Sequence, residues 1–264
     1  MNKFGYIRGR RGPKGPPGKN AFEIHKWCPD SMLRMFRENE DCTFFFNTAE
    51  DGIIYNEEIP IGLKDRFGKN NGICLQGFHK PVKVDKVYGI PFKNSLYKVP
   101  GVDMAIGKPS ICVIAFAFKP ISTSNENDFI FTNGTGTRAV TISSRSLNIW
   151  GIESPLDLEY HRDDWNRMIL QYSRITDDGT DDKCFFILNG RRGFFKPRVH
   201  KHVEESELFL GGHPERKNFA NVVIVNFEVY FKIFDDTPDS ASSYIIPTEI
   251  TELLNNDMEE RIAE

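Results

Sequence analysis

The chain has 264 residues, of which 27% are charged and 39% hydrophobic, with 22 Phe and a formal net charge of −3. A chain of this length commonly forms one large domain with a short appendage and buries its core without disulfide staples, and so many aromatics suit strands that pack two sheets together. No apolar leader core follows Met1 and no run reaches the roughly 18 apolar residues of a spanning helix, so neither a signal peptide nor a membrane span is expected.

The charge is unevenly spread. Residues 1–20 hold Lys3, Arg8, Arg10, Arg11, Lys14 and Lys19 and no acid, which leaves the rest of the chain clearly acidic. Arg8, Arg10, Arg11 and Lys14 are therefore candidates for contact with an anionic partner, against simple solvation of a basic arm. In the same segment Gly9, Gly12, Gly15 and Gly18 keep a strict period of three, with Pro13, Pro16 and Pro17 between them. This is the collagen pattern, because only glycine fits at the crowded triple-helix axis. So few triplets do not trimerise alone. The expectation is a stalk stub over 1–20 that joins a homotrimer held by the rest of the chain, with a polyproline-like linker as the alternative. Pro29, Asp30 and Ser31 then open a short helix inside a collar over 21–42. Asp30 or Ser31 caps it, and Met32, Leu33, Met35 and Phe36 form its apolar side.

From Thr43 the texture is β. Thr43–Phe46, Ile53–Tyr55 and Ile73–Leu75 are short runs between Gly, Asn and Asp. Ile111–Phe118 is continuously apolar, as a strand buried on both faces would be. Phe129–Thr132, Arg138–Ser143 and Leu147–Trp150 follow at the spacing of a sandwich. Later, Val223, Val225, Phe227, Val229, Phe231 and Ile233 alternate with Asn226, Glu228 and Lys232. The odd positions are assigned to the core and the polar ones to solvent or a partner. Thr248 caps a terminal helix, Thr251 stands where a capping box wants Glu or Gln, and residues 257–264 read as an acidic tail. Of the five cysteines, Cys112 and Cys184 sit in apolar runs and read as buried thiols; a Cys28–Cys42 bridge is the remaining possibility.

One stretch carries a resemblance. Asp164-Trp165-Asn166-Arg167 opens Met168–Tyr172, an acidic turn Thr176–Asp182 follows, then Cys184–Gly190, Leu208–Gly212 and Ala220–Phe234. This order resembles the laminin-G-like (concanavalin-like) jelly roll over residues 43–256, most closely after Asp163. The resemblance implies an all-β, two-sheet antiparallel jelly-roll sandwich with a short C-terminal helix, to which the residues from Pro29 add a short N-terminal one. It implies that Trp165 starts a core strand and that Asn189-Gly190 makes a hairpin turn. Phe219-Ala220 departs from the family, which usually has Gly there. Such domains bind glycans or proteins without doing chemistry. They often hold calcium at the rim, which turns attention to Asp177, Asp178, Asp181 and Asp182, against a merely solvated turn.

The residues themselves offer little catalysis. A glycanase needs two carboxylates roughly 5–10 Å apart. The nearest approach is Glu153, Asp157 and Glu159, with Pro155 interrupting any strand between them. His200, His202 and His213 would make only part of a zinc site. There is no nucleophile elbow and no phosphate loop. Asn133-Gly134-Thr135 is a glycosylation sequon of low specificity. The leading expectation is a non-enzymatic binding or adhesion head, for a glycan or a cell-surface protein, on a short stalk. An extracellular or virion-surface setting fits it. The alternative is a capsid-associated structural protein whose basic arm engages nucleic acid or an acidic partner.

Overall fold

The computed structural model describes residues 42–47, 52–66, 70–103, 110–124, 126–134, 138–150, 156–174, 184–196, 207–216, 218–233 and 248–263. The stalk stub and almost the whole collar lie outside these residues. The described strands are β1 (Cys42–Asn47), β2 (Ile53–Asn56), β3 (Ile59–Leu63), β4 (Gly72–Gln76), β5 (Val82–Val84), β6 (Val87–Phe92), β7 (Leu96–Asp103), β8 (Ser110–Pro120) and β9 (Asp128–Asn133). They continue with β10 (Ala139–Ile142), β11 (Leu147–Trp150), β12 (Leu156–Leu158), β13 (Asn166–Arg174), β14 (Cys184–Leu188), β15 (Arg191–Phe195), β16 (Glu207–Leu210) and β17 (Val222–Ile233). One described helix, α1 (Thr248–Ala263), follows.

Two antiparallel sheets form a sandwich, as the sequence leads one to expect. The first runs β15-β14-β13-β8-β17-β6-β5, with β1 also paired to β17; the second runs β12-β11-β10-β9-β16-β7-β4-β3-β2. Between them lies a core in which Phe116 and Phe227 stack at 5.7 Å and Phe131, from the opposite sheet, meets both edge-on. Offset and edge-on pairs suit aromatic quadrupoles and add to the area they bury.

The middle of the first sheet is buried on both faces. In β8, Cys112, Ile114, Phe116 and Phe118 face the inter-sheet core, while Ile111, Val113, Ala115 and Ala117 lie under α1 with Ile169, Phe185 and Ile187. Helix α1 contributes Ile250, Leu254 and Met258 to that outer cluster. It continues past residue 256 to Ala263, so the segment read above as an acidic tail is helix, with Asp257 and Arg261 paired across one turn at 2.9 Å. Arg167 of β13 reaches Glu259 at 3.0 Å and clamps the helix to the sheet. Thr251 does not cap; its hydroxyl donates to the Thr248 carbonyl at 2.7 Å.

The β17 register corrects the simple alternation. Ile224 stands opposite Phe118 and Asn226 opposite Ala117, so Val225 is an extra residue, a β-bulge. Before the bulge the even residues Val222 and Ile224 face the core; after it the odd residues Phe227 and Val229 do. Val223 and Val225, assigned above to the core, pack instead with Val87 and Trp165 on the outer face. Asn226 and Glu228 are buried rather than solvated. The Asn226 side chain fills the gap: its Oδ1 accepts from Ala117 N at 3.2 Å and its amide donates to Glu228 at 3.1 Å. Gly89 of β6 is required here, because an added Cβ would overlap Val223.

The residues that carry the resemblance act together. Asn189 (φ 51°) and Gly190 (φ 80°) are both left-handed, the geometry of a type I′ hairpin turn. Asn166, directly after Trp165, accepts from His161 N and from the Asn189 amide and donates to the carbonyls of His161 and Asp164. Cys112 and Cys184 are buried free thiols. Burial pushes the Cys112 thiol up to about 12.

Two substitutions test this packing by urea denaturation. Asn226→Leu should leave the Ala117 N–H unpaired in the bulge and cost about 1–3 kcal/mol. Leu254→Ala should cost about 2–5 kcal/mol, because α1 seals the outer face. Changes within experimental error for both would contradict the bulge and the helix docking.

Candidate functional site

The sequence-derived site residues are placed unevenly. Asp177, Asp178, Asp181 and Asp182 lie outside the described residues, as do Gly9, Gly12, Gly15, Gly18, Arg8, Arg10, Arg11 and Lys14. His200, His202 and Glu153 also lie outside them. Asp157 sits in β12, opposite Asn148, and Glu159 just beyond it; both are exposed. Among the described residues no group of three or more His, Cys, Asp or Glu is arranged to hold a metal. Asn133 of the sequon is fully buried and its Oδ1 accepts from Arg138 N at 2.8 Å, so it is not presented for glycosylation.

A cleft of about 370 Å³ opens at the rim of the second sheet, lined by Glu126, Asn127, Phe129, Trp150, Arg216 and Asn218. Three separate stretches of chain meet there: the loop from β8 into β9, the end of β11, and the loop from β16 to β17. The first is shaped by Ser124, whose hydroxyl accepts from Glu126 N at 3.1 Å and donates to Asp128 Oδ2 at 2.9 Å. Asn127 is oriented by Asn148, which donates to its Oδ1 at 3.0 Å and leaves its amide hydrogens unused by that bond. Asn218 ties the third stretch to the first by donating to the Asn127 carbonyl at 3.4 Å.

Trp150 is held from two sides. Its indole N–H donates to Thr141 Oγ1 at 2.9 Å, across the neighbouring strand. Its carbonyl accepts from the Tyr172 hydroxyl at 2.7 Å, a bond that crosses the sandwich from the first sheet. The indole's one donor is thus committed to the protein. Trp150 is 37% exposed and lines the cleft with that donor already used.

The β16–β17 loop is equally constrained. Gly211 N donates to the Ile130 carbonyl at 2.7 Å, and Ala220 N to the Gly211 carbonyl at 2.9 Å. Gly211 has φ 86°, and Gly212 leaves room for the Phe219 ring that closes over it. Phe219 therefore occupies the place where the resemblance wanted glycine. His213, buried against Phe129 at 5.1 Å, accepts from Glu215 N at 3.1 Å and Arg216 N at 3.2 Å through Nδ1. That makes it the neutral tautomer with its proton on Nε2. Burial, aided by the Arg216 guanidinium and opposed by Glu215, holds its pKa below the ordinary value. Burial raises the Asp128 carboxyl, against the Ser124 hydrogen bond, while nearby Glu126 adds repulsion.

No sequence motif marks Glu126, Asn127, Phe129, Arg216 or Asn218 as functional, and Trp150 reads from sequence only as a strand end. The one usable signal was an exposed-type tryptophan at the end of a short strand whose other residues are apolar or amide.

No protein-family model matches the chain, and no curated protein matches it by sequence. By fold it is similar to Trypanosoma rangeli sialidase in complex with sialic acid, at 11% identity and a TM-score of 0.53, covering 88% of this chain and 39% of that one. It is similar to domain 4 of AbnA, an extracellular arabinanase of family GH43 from Geobacillus stearothermophilus, in complex with arabinotriose. Here the identity is 13% and the TM-score 0.50, covering 81% of this chain and 98% of that domain. The binding domain of botulinum neurotoxin serotype D/C is a third, at 10% identity and a TM-score of 0.53, covering 83% of this chain and 52% of that one. The chain therefore spans well under half of the sialidase. At such identities the likeness establishes a β-sandwich fold, one that these structures use both in enzymes and in binding domains.

The His213 turn predicts a pH response. With the folded pKa depressed, the unfolded chain binds more protons below its own value of about 6.5, so stability falls as pH drops through that value. The protection factors of the 211–220 amides, the exchange rate corrected for its own dependence on pH, should fall between about pH 7 and pH 5. His213→Asn keeps a side-chain acceptor without a titrating ring and should flatten the response; an unchanged profile in that variant would refute the assignment.

Proposed function

We propose that this chain is a non-catalytic glycan-binding domain whose site is the cleft between Glu126, Trp150 and Arg216. The observation that carries the reading is Trp150: an indole fixed by Thr141 and Tyr172 with its N–H already used. A rigid ring face with no free donor suits the apolar C–H face of a sugar, and the surrounding groups suit its hydroxyls. Arg216 and the Asn127 amide supply donors, and Glu126 and the Asn218 carbonyl supply acceptors. The arabinotriose complex of the AbnA domain, similar over nearly its whole length, supports the reading.

An enzymatic reading has one point in its favour, the neighbouring Glu126 and Asp128. Most glycoside hydrolases place two carboxylates across the scissile bond. Glu126 is the one carboxylate among the described residues lining the cleft, and Asp128 is bonded to Ser124 on the same loop. The expected result is no turnover on a broad glycan panel. Turnover abolished by Glu126→Gln or Asp128→Asn would overturn it.

Single clefts of this kind bind weakly, and joining several in one assembly raises avidity without new contacts. We extend the proposal to a trimer in which the Gly9–Gly18 triplets join three heads. Light scattering at micromolar concentration should then give a mass near three chains, and a monomer at every concentration would remove this extension. The glycan site itself is tested on an array. Trp150→Ala should reduce binding about tenfold or more, equivalent to about 1.4 kcal/mol, while Arg216→Gln, an exposed change, should weaken it with the fold intact. Undiminished binding by both variants would place the site elsewhere.

A further inference from the structure

We infer that His213 is the positioning residue of the cleft: its neutral ring holds the Arg216 turn and Phe129 in place for the ligand, and its protonation releases both. This rests on the glycan reading and adds the regulation of that site.

The ring joins two of the stretches of chain that build the cleft. It is 2% exposed. On one side it packs edge-on against Phe129 of β9 at 5.1 Å, and Phe129 lines the cleft. On the other, Nδ1 accepts from the backbone N–H groups of Glu215 at 3.1 Å and Arg216 at 3.2 Å, and Arg216 lines the cleft from the β16–β17 loop. An imidazolium has no acceptor on either nitrogen, so turning the ring over does not restore these bonds. A proton on Nδ1 sets donor against donor and buries a charge, so the turn from His213 to Arg216 opens. Arg216 then loses its backbone anchor and Phe129 the ring packed against it.

The charges around the ring set when this happens. Arg216 opposes a proton and Glu215 favours one; among the described residues no other charge acts on the ring. Asp128, next to Phe129, is turned to the Ser124 hydroxyl at 2.9 Å, and Glu126 lies earlier on the same loop. Arg145 is exposed on the turn from β10 to β11, and Lys217 lies outside the described residues. Burial is the largest influence, so the ring is neutral at pH 7 and takes up its proton below the ordinary value of about 6.5. Binding is therefore present above that pH and lost as the pH falls through the ring's own, lower value.

The experiment titrates the intact chain with maltotriose, lactose and arabinotriose, whose lack of charge leaves any pH effect to the protein. The affinity of a probe that binds should fall about tenfold or more between about pH 7.5 and about pH 5, with circular dichroism showing the chain folded at both; tenfold equals one pKa unit of coupling between ring and ligand. His213→Asn keeps an acceptor and cannot titrate, so its affinity should change less than about twofold over that range. Asp128→Asn and Glu126→Gln should each keep the fall, although both remove a carboxyl that titrates in acid. On the unmutated chain, NMR of the imidazole should show the His213 titration moved to lower pH by saturating probe, because the coupling is reciprocal; this readout decides the matter if His213→Asn does not fold. An affinity independent of pH, a fall that survives in His213→Asn, or a ring titration that the probe leaves in place overturns the inference with the glycan reading still standing. No binding of any probe by the folded chain at about pH 7.5, where the ring is neutral, overturns both.

Discussion

The bulge at Val225 is the constraint on which the rest of the molecule depends. Strand β17 pairs with β8 on one side and, on the other, with β6 before the bulge and β1 after it. A strand in regular alternation would send Val223, Val225, Phe227 and Val229 to one face. The extra residue lets the strand feed the inter-sheet core along its whole length and still place Val223 and Val225 against Trp165. The unpaired ladder group that a bulge creates is costly in a buried centre. Here the Asn226 amide takes the place of the missing carbonyl. Because β17 is fixed in this register, the loop that enters it, from Gly211 to Asn221, is fixed as well, and with it Arg216 and Asn218.

The cleft follows the same logic. Several of its residues are held by bonds from elsewhere: the Asn127 side chain by Asn148, Trp150 by Thr141 and by Tyr172, and the Arg216 backbone by the His213 ring. Such anchoring lowers the ordering cost that a ligand would otherwise meet. The second sheet also carries exposed apolar side chains far from the cleft, Ile73 and Leu75 on β4 and Ile59 on β3.

How much of this could be read in the chain differs by element. Strand β8 was legible because eight consecutive apolar residues have no use on a half-solvated sheet. The hairpin at Asn189-Gly190 and the start of β13 at Trp165 were legible because the turn chemistry is local. Strands β6 and β7 were not, since Gly89, Pro91, Pro100 and Gly101 break their patterns for packing reasons seen only in three dimensions. Asn226 and Glu228 looked like a solvent face because a strand reader has no way to see the helix that covers them. The cleft was invisible for a plainer reason. Glu126, Asn127, Arg216 and Asn218 are ordinary loop residues, separated by about ninety positions of chain, and only the β9–β16 neighbourhood brings them together.

Trp150 and the side chains around it are the proposed contact with the ligand. A titration with neutral oligosaccharides followed by nitrogen–proton correlation NMR tests it most directly, since Trp27, Trp150 and Trp165 are the three indoles in the chain. The Trp150 indole is expected to shift together with the Asn127 and Asn218 amides while the buried Trp165 stays in place. Shifts confined to the β3–β4 edge around Ile59, Ile73 and Leu75, with Trp150 unmoved at saturation, would contradict it.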